Sequence, residues 1–283
     1  MQTHSGEFKI TTMCRVLVVS RGGFSRWLQR DQQPTLQQQR RNCLDQQVEQ
    51  AFEAANKRKG SPRLTHGLAK QGARYDRKTV AASMKRQDLR AKAAKKFKAT
   101  TNSKHNLPVA PNLLRQTFSA TAPNQKWVSD STYLWTEEGW LYLAVVIDLY
   151  SRLVVGWALA ERMTADLVRQ APRMAPWRRK MPKGVIVHSD RGSQYCSALY
   201  QGLLTQHALL RGMSAKGNCY ANACAESFFH PLKVAAIHGE CFATRGEMRS
   251  AVFEYIEVDY NRSRDHSTNG YMSPEAFEAL NAA

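Results

Sequence analysis

The chain has 283 residues, 43% of them hydrophobic, enough for one large core with a smaller module beside it. With 41 Lys and Arg against 23 Asp and Glu it carries a formal charge of +18, which draws it to polyanions, nucleic acid first among them. The longest apolar run, residues 141–147, is too short to span a bilayer, and residues 1–6 lack the basic-then-apolar layout of a secretory signal; neither a membrane protein nor an exported one is expected.

The charge is unevenly placed. Between Lys57 and Lys104 sixteen Lys and Arg face two acids, Asp76 and Asp88, a net +14 that leaves +4 for everything else. Such a stretch suits nucleic acid, an anionic membrane surface or simple solvation alike, so charge alone does not choose.

Four zones follow one another without internal repeat. Residues 1–40 hold two short helix patterns, 13–19 and 25–30, on either side of a glycine-bearing turn at 20–24, and Pro34 marks a break. Residues 41–95 read as a small all-α module. Over 43–55, Leu44, Val48, Ala51 and Phe52 fall on one helical face. Ser61 and Pro62 have the cap and first-turn signature of a second helix, which Gly72 ends, and Asp76 is placed to cap a third over 77–87. Two helices joined by a tight turn describe a helix-turn-helix, whose second helix is able to enter a major groove. That helix carries the candidate DNA contacts Arg77, Lys78, Lys85 and Arg86, while Val80, Ala81 and Met84 form its core side. Residues 96–122, basic and containing Pro108 and Pro111, read as an extended linker.

Residues 123–283 change in character. Strands are expected over 126–134, 140–148 and 153–159, split by Glu138-Gly139 and by a turn at 150–152. A helix over 164–177, a buried strand at 185–187, a helix over 194–207 and a short strand over 209–213 follow. A loop at 217–221 and helices near 223–237 and 244–260 complete the chain. Three antiparallel strands followed by alternating helices and strands indicate an α/β domain, a mixed sheet covered by helices. The six cysteines are expected as free thiols; Cys219 and Cys224, with His230, His238 and Cys241 downstream, lack the C-x2-C spacing of a zinc site.

Three acids stand out by position. Asp130 is mid-strand, Asp190 follows directly on the apolar run 185–187, and Glu226 lies early in a helix. Each alone fits a structural role: a turn, a strand end, a favourable charge at a helix N-terminus. Ionised groups at buried strands are costly without a partner, and three together repel one another, so a divalent cation is their natural partner. Carboxylate oxygens suit Mg2+ or Mn2+, and two such ions clamp a phosphate for in-line displacement.

The joint pattern carries a resemblance. Thirty-five residues separate Asp190 from Glu226, the D-x35-E spacing of retroviral integrases and related transposases, and Lys233 follows Glu226 by seven. Strings at 123–127, 142–148, 188–195, 213–217, 225–229 and 260–264, with Ser151-Arg152 and Ser273-Pro274, resemble the OrfB-type transposases of bacterial insertion sequences. The resemblance is strongest over 123–277 and continues more loosely to the N-terminus. It implies a ribonuclease-H-like core with Asp130 on the first strand, Asp190 on the fourth and Glu226 on a helix facing both. It further implies two bound Mg2+ or Mn2+ ions, cleavage of element ends and 3′-hydroxyl strand transfer into target DNA. Lys233 is then a candidate contact to a phosphate or base near the cut. A homo-oligomer on DNA, an OrfA partner or fusion, and a bacterial cytoplasmic location are also implied.

Some positions depart from the family pattern. Pro231 falls within the Glu226 helix, where it removes a hydrogen bond and kinks the chain; Ala235 stands where many relatives carry an acid and Asn269 where many carry leucine. These leave open a second reading, a catalytically weak DNA-binding regulator of transposition. A third is a ribonuclease-H-type nuclease with the same metal site.

Overall fold

Two compact units divide the chain, Met1–Ala91 and Lys92–Ala283; the computed structural model describes residues 1–32, 35–91, 107–115, 117–214 and 223–281. The first unit holds helices α1 (Ile10–Val16), α2 (Arg21–Gln32), α3 (Leu36–Ala54), α4 (Ser61–Lys70) and α5 (Arg77–Arg86). The glycine pair expected as a turn lies instead inside the start of α2. Glycine weakens a helix interior, but here Ser20 Oγ accepts from Gly23 N–H at 3.0 Å and secures the first turn. Helix α3 begins at Leu36, with Thr35 Oγ1 accepting from Gln38 N–H at 3.3 Å, and so runs across residue 40.

The three-helix core of this unit forms as expected, although α1 spans Ile10–Val16 rather than 13–19, Gly60 rather than Ser61 caps α4, and Ala81 is exposed rather than part of the core. Leu44, Val48 and Phe52 of α3 pack on Leu64 and Leu68 of α4 and on Val80 and Met84 of α5. Gly72 takes φ 89°, open to glycine at no steric cost, at the turn between α4 and α5. Asp76 caps α5 by accepting from Lys78 N–H at 2.8 Å. Tyr75 Oη donates to Gln47 Oε1 at 2.8 Å, tying that turn to α3.

The second unit is built from β1 (Lys126–Thr136), β2 (Gly139–Asp148), β3 (Val154–Ala160), α6 (Ala165–Arg178), β4 (Ile186–Ser189), α7 (Ala198–Gln206), β5 (Leu210–Met213), α8 (Ala223–Leu232), α9 (Arg245–Glu254) and α10 (Pro274–Asn281). The strands form a five-stranded sheet in the order β3-β2-β1-β4-β5. The β1–β2–β3 pairs are antiparallel and β1–β4–β5 parallel, the mixed sheet expected from the sequence. Strand alternation splits the core in two. Val128, Leu143, Val145 and Ile147 meet Phe228 and Leu232 of α8 and Val252 of α9, while Trp127, Ala144 and Val146 meet α6 and α7 through Leu167, Ala171 and Leu204. Helix α6 lies so close on β3 that a Cβ at Gly156 would stand 2.2 Å from the Ala171 carbonyl oxygen.

Three local differences have physical causes. Helix α7 starts at Ala198, later than periodicity suggests, because Ser197 caps it there. Helix α8 runs through Pro231 to Leu232, and the disturbance expected at the proline takes the form of a π-helix, Lys233–Ile237, closed by His238 N–H donating to Lys233 O at 2.7 Å. Asp148 and Arg152, on either side of the strand-end turn, do not form an ion pair with each other. Asp148 pairs with Arg179 at 3.2 Å and accepts from the Asn124 and Tyr150 N–H groups, while Arg152 reaches Cys224 Sγ at 2.6 Å. Arg179 also bonds Glu278, which ties α10 to the sheet.

Candidate active site

The parallel pairing of β1 with β4 sets the site. Its last rung is Ser129 opposite Ser189, so Asp130 and Asp190 follow one residue beyond it on neighbouring strands. Asp130 shares the parity of Val128 and Leu134, which pack beneath α8. Glu226 is exposed in the first turn of α8, and Lys233 opens the π turn after it.

Asp130 is buried, and its Oδ1 accepts from Ser131 N–H at 2.7 Å. Burial first and the Asp190 charge second push its pKa up to about 8; the Glu226 charge adds to this, against the Ser131 N–H and the Lys233 ammonium. The fold therefore gathers the three acids expected from the sequence, and Lys233, into one electrostatic neighbourhood. They are not closed into a ligand set: among the described residues no three His, Cys, Asp or Glu are grouped to hold an ion. Asp190 is turned to accept from Gly192 N–H at 2.9 Å. Residues 215–222, which lead into α8, lie outside the described residues. The donor chemistry fits a hard divalent ion.

Lys233 is only 9% exposed, with its ammonium 4.8 Å from the Tyr133 ring centroid. Burial lowers its pKa to about 8 against the opposing pull of Asp130. His188 is buried, bonded through Nε2 to Ser214 Oγ at 3.3 Å, and burial lowers its pKa to about 4, so it stays neutral. Tyr195 escaped notice as a site residue although it lies within the 188–195 string. It is buried edge-on against Tyr200, 5.2 Å away, and burial, then Asp130 and Asp190, raise its pKa and keep its hydroxyl protonated.

In the helical unit, Arg77, Lys78, Lys85 and Arg86 are all exposed on α5. Arg86 is also held by Asp45 of α3, through Nη2 at 2.5 Å and Nε at 3.3 Å. Lys78 and Arg86 line an open groove of about 520 Å³ between α3 and α5, with Arg40 and Arg41 opposite. Those two arginines were passed over because they precede the charge-rich stretch in sequence. As for the thiols, Cys219 lies outside the described residues, and the described cysteines are free.

Known proteins share these features. An integrase core domain matches residues 120–219, a second integrase core domain 226–281, and an HTH-like domain 38–97. "Transposase InsF for insertion sequence IS3A" of Escherichia coli (strain K12) is 56% identical over 283 residues, covering 100% of this chain and 98% of that protein. "Insertion element IS600 uncharacterized 31 kDa protein" of Shigella sonnei is 46% identical over 265 residues, 94% of this chain and 97% of that one. The HTLV-2 integrase catalytic core domain in complex with magnesium (trimeric form) overlaps 56% of this chain and 99% of its own at 14% identity, with a TM-score of 0.42.

Proposed function

The chain belongs to the insertion-sequence transposases of the IS3 type, and from that premise we propose that Asp130, Asp190 and Glu226 are the acids that carry its chemistry. The protein is a polynucleotidyl transferase of the DDE type, acting in DNA transposition. The observation that supports the site assignment is the β1–β4 register, whose last rung, Ser129 opposite Ser189, brings Asp130 and Asp190 to neighbouring strand ends, with Glu226 on α8, which packs on β1. Such a trio is stable as carboxylates only around a cation, and we assign it two Mg2+ or Mn2+ ions. When bound, they polarise the scissile phosphodiester, activate the attacking oxygen and stabilise the leaving one.

The chain's own groups then have distinct tasks. Asp130 and Asp190, positioned by the β1–β4 ladder, provide one side of the cradle, and Glu226 on α8 completes it. Tyr195, protonated behind both aspartates, limits water on the sheet side. Water breaks a P–O bond at the element end and frees a 3′-hydroxyl. That hydroxyl attacks a target phosphodiester in line and displaces another 3′-oxygen, so no covalent protein–DNA bond is needed. Arg77, Lys78 and Lys85, with Arg40 and Arg41, hold the DNA backbone through charge. Two ends must be held at once, so a homo-oligomer forms on DNA, with an OrfA partner or fusion supplying further end recognition. No described helix is long and apolar enough to cross a membrane; we assign the protein to the bacterial cytoplasm.

Departures from the family pattern do not favour a purely regulatory protein. Ala235 is buried in the α8 core, and Asn269 donates to Ser151 O at 2.7 Å, so both have local structural uses. The test is cleavage of labelled element ends with Mg2+. Wild type is expected to nick at the terminus, and Asp190→Asn to bind the same DNA without cutting it. Unchanged cutting by Asp190→Asn overturns the site assignment.

A further inference from the structure

The carboxylate chemistry leaves one surface of the sheet unit unused. At the turn end of the β1–β2 hairpin, Trp135 and Trp140 are 56% and 43% exposed. They are direct cross-strand partners, with ring centroids 4.8 Å apart at an interplanar angle of 71°. Tyr133 continues the row, edge-on to Trp140 at 5.1 Å. Its own ring carries the Lys233 ammonium at 4.8 Å, and that ammonium bears on Asp130. An aromatic row thus runs from solvent to the Lys233 ammonium, which in turn neighbours Asp130.

A cross-strand tryptophan pair stabilises a hairpin by packing alone, but this hairpin is already anchored. Glu137 N–H donates to Phe242 O at 3.0 Å, Arg245 N–H to Glu138 Oε2 at 2.8 Å, Arg245 Nε to Trp140 O at 3.2 Å, and Thr136 Oγ1 to Gly139 O at 2.8 Å. Two rigid, exposed indoles side by side mark a recognition surface more than a fold requirement.

We propose that Trp135, Trp140 and Tyr133 stack unpaired nucleobases of the opened DNA end beside the cut. This rests on the transposase reading of the acids. The charges on the page choose nucleobases over an apolar protein partner. The row ends on the Lys233 cation, which draws a phosphate to that side. Glu137 and Glu138 at the hairpin tip repel phosphates there. A strand therefore enters with its backbone at Lys233 and only its terminal bases over the tryptophans. Stacking on aromatic rings accepts any base, which suits a site that positions an end rather than reads it.

The test uses the full chain without divalent metal and two duplexes of the element's terminal sequence, one fully paired and one with the last base pairs mismatched. Wild type is expected to bind the mismatched end more tightly. Trp135→Ala is expected to lose about tenfold or more on the mismatched end and little on the paired one, with Trp135→Phe restoring most of the preference. Thermal melting of each variant reports whether it is folded; if Trp135→Ala fails to fold, the same comparison between wild type and Trp135→Phe against Trp135→Gln decides. Equal losses on both duplexes, or none, overturn the proposal. So does a fall in the sedimenting mass of free Trp135→Ala, which identifies the surface as a protein contact. Mg2+-dependent cleavage by wild type is read separately: cutting without any preference for opened ends overturns only the stacking proposal, whereas absence of cutting overturns the transposase site.

Discussion

The helical unit and the sheet unit handle charge in opposite ways. In the first, Arg77, Lys78 and Lys85 stand exposed around a small apolar core. Water and salt screen each of them, so each contributes separately and modestly. In the second, Asp130 sits in a buried strand, where burial and the neighbouring Asp190 and Glu226 charges raise its pKa. One surface therefore binds in graded fashion, while the other acts as a unit or not at all. The difference lies in desolvation more than in the number of charges.

The largest effect is expected at the acids. Glu226→Gln should lower cleavage and strand transfer by about 10⁴-fold or more, with Asp130→Asn/Glu226→Gln no worse than either single change, because groups acting together are not additive. Single-turnover assays on labelled ends measure this, and additive losses would break the contrast between the units. Next comes the buried ion pair. Arg179→Ala leaves Asp148, which is 0% exposed, without its cation and should cost about 3–5 kcal/mol in urea unfolding of the sheet unit.

A smaller effect is expected at Asp45. Burial raises its pKa, but hydrogen bonds from Arg86 and Ser83 outweigh this and hold it below its ordinary 3.8. The pair's contribution is therefore fully present above pH 3.8 and is lost as pH falls through the lower folded value. Asp45→Asn should cost about 1 kcal/mol near neutral pH, with a flatter acid limb in pH-dependent melting. The smallest change is at Lys85: Lys85→Ala should flatten the slope of log affinity against log salt by about 0.9 and weaken all duplexes alike.

Much of this was legible in the sequence. Strand alternation through Val128–Asp130 and the apolar run before Asp190 placed both aspartates on strands, and the i, i+4, i+8 stripe of Leu44, Val48 and Phe52 placed the helical core. The misreadings arose where tertiary context outweighs local preference. Ser20 caps a helix through two glycines, and the turn after Pro231 widens and carries Lys233 inward over Tyr133. Arg179, rather than the nearby Arg152, offsets Asp148, because helix α6 ends beside β2 in space although it is remote in sequence. Arg40 and Arg41 gained meaning only when α5 closed a groove against α3.

The central claim is that Asp130, Asp190 and Glu226 together hold the metal that acts on DNA. Mn2+ binding to the protein–DNA complex, followed by electron paramagnetic resonance, tests it most directly. Wild type should take up two strongly held ions, and Asp130→Asn, Asp190→Asn and Glu226→Gln should each lose at least one while still binding DNA. The same Mn2+ uptake in wild type and all three variants would contradict the account.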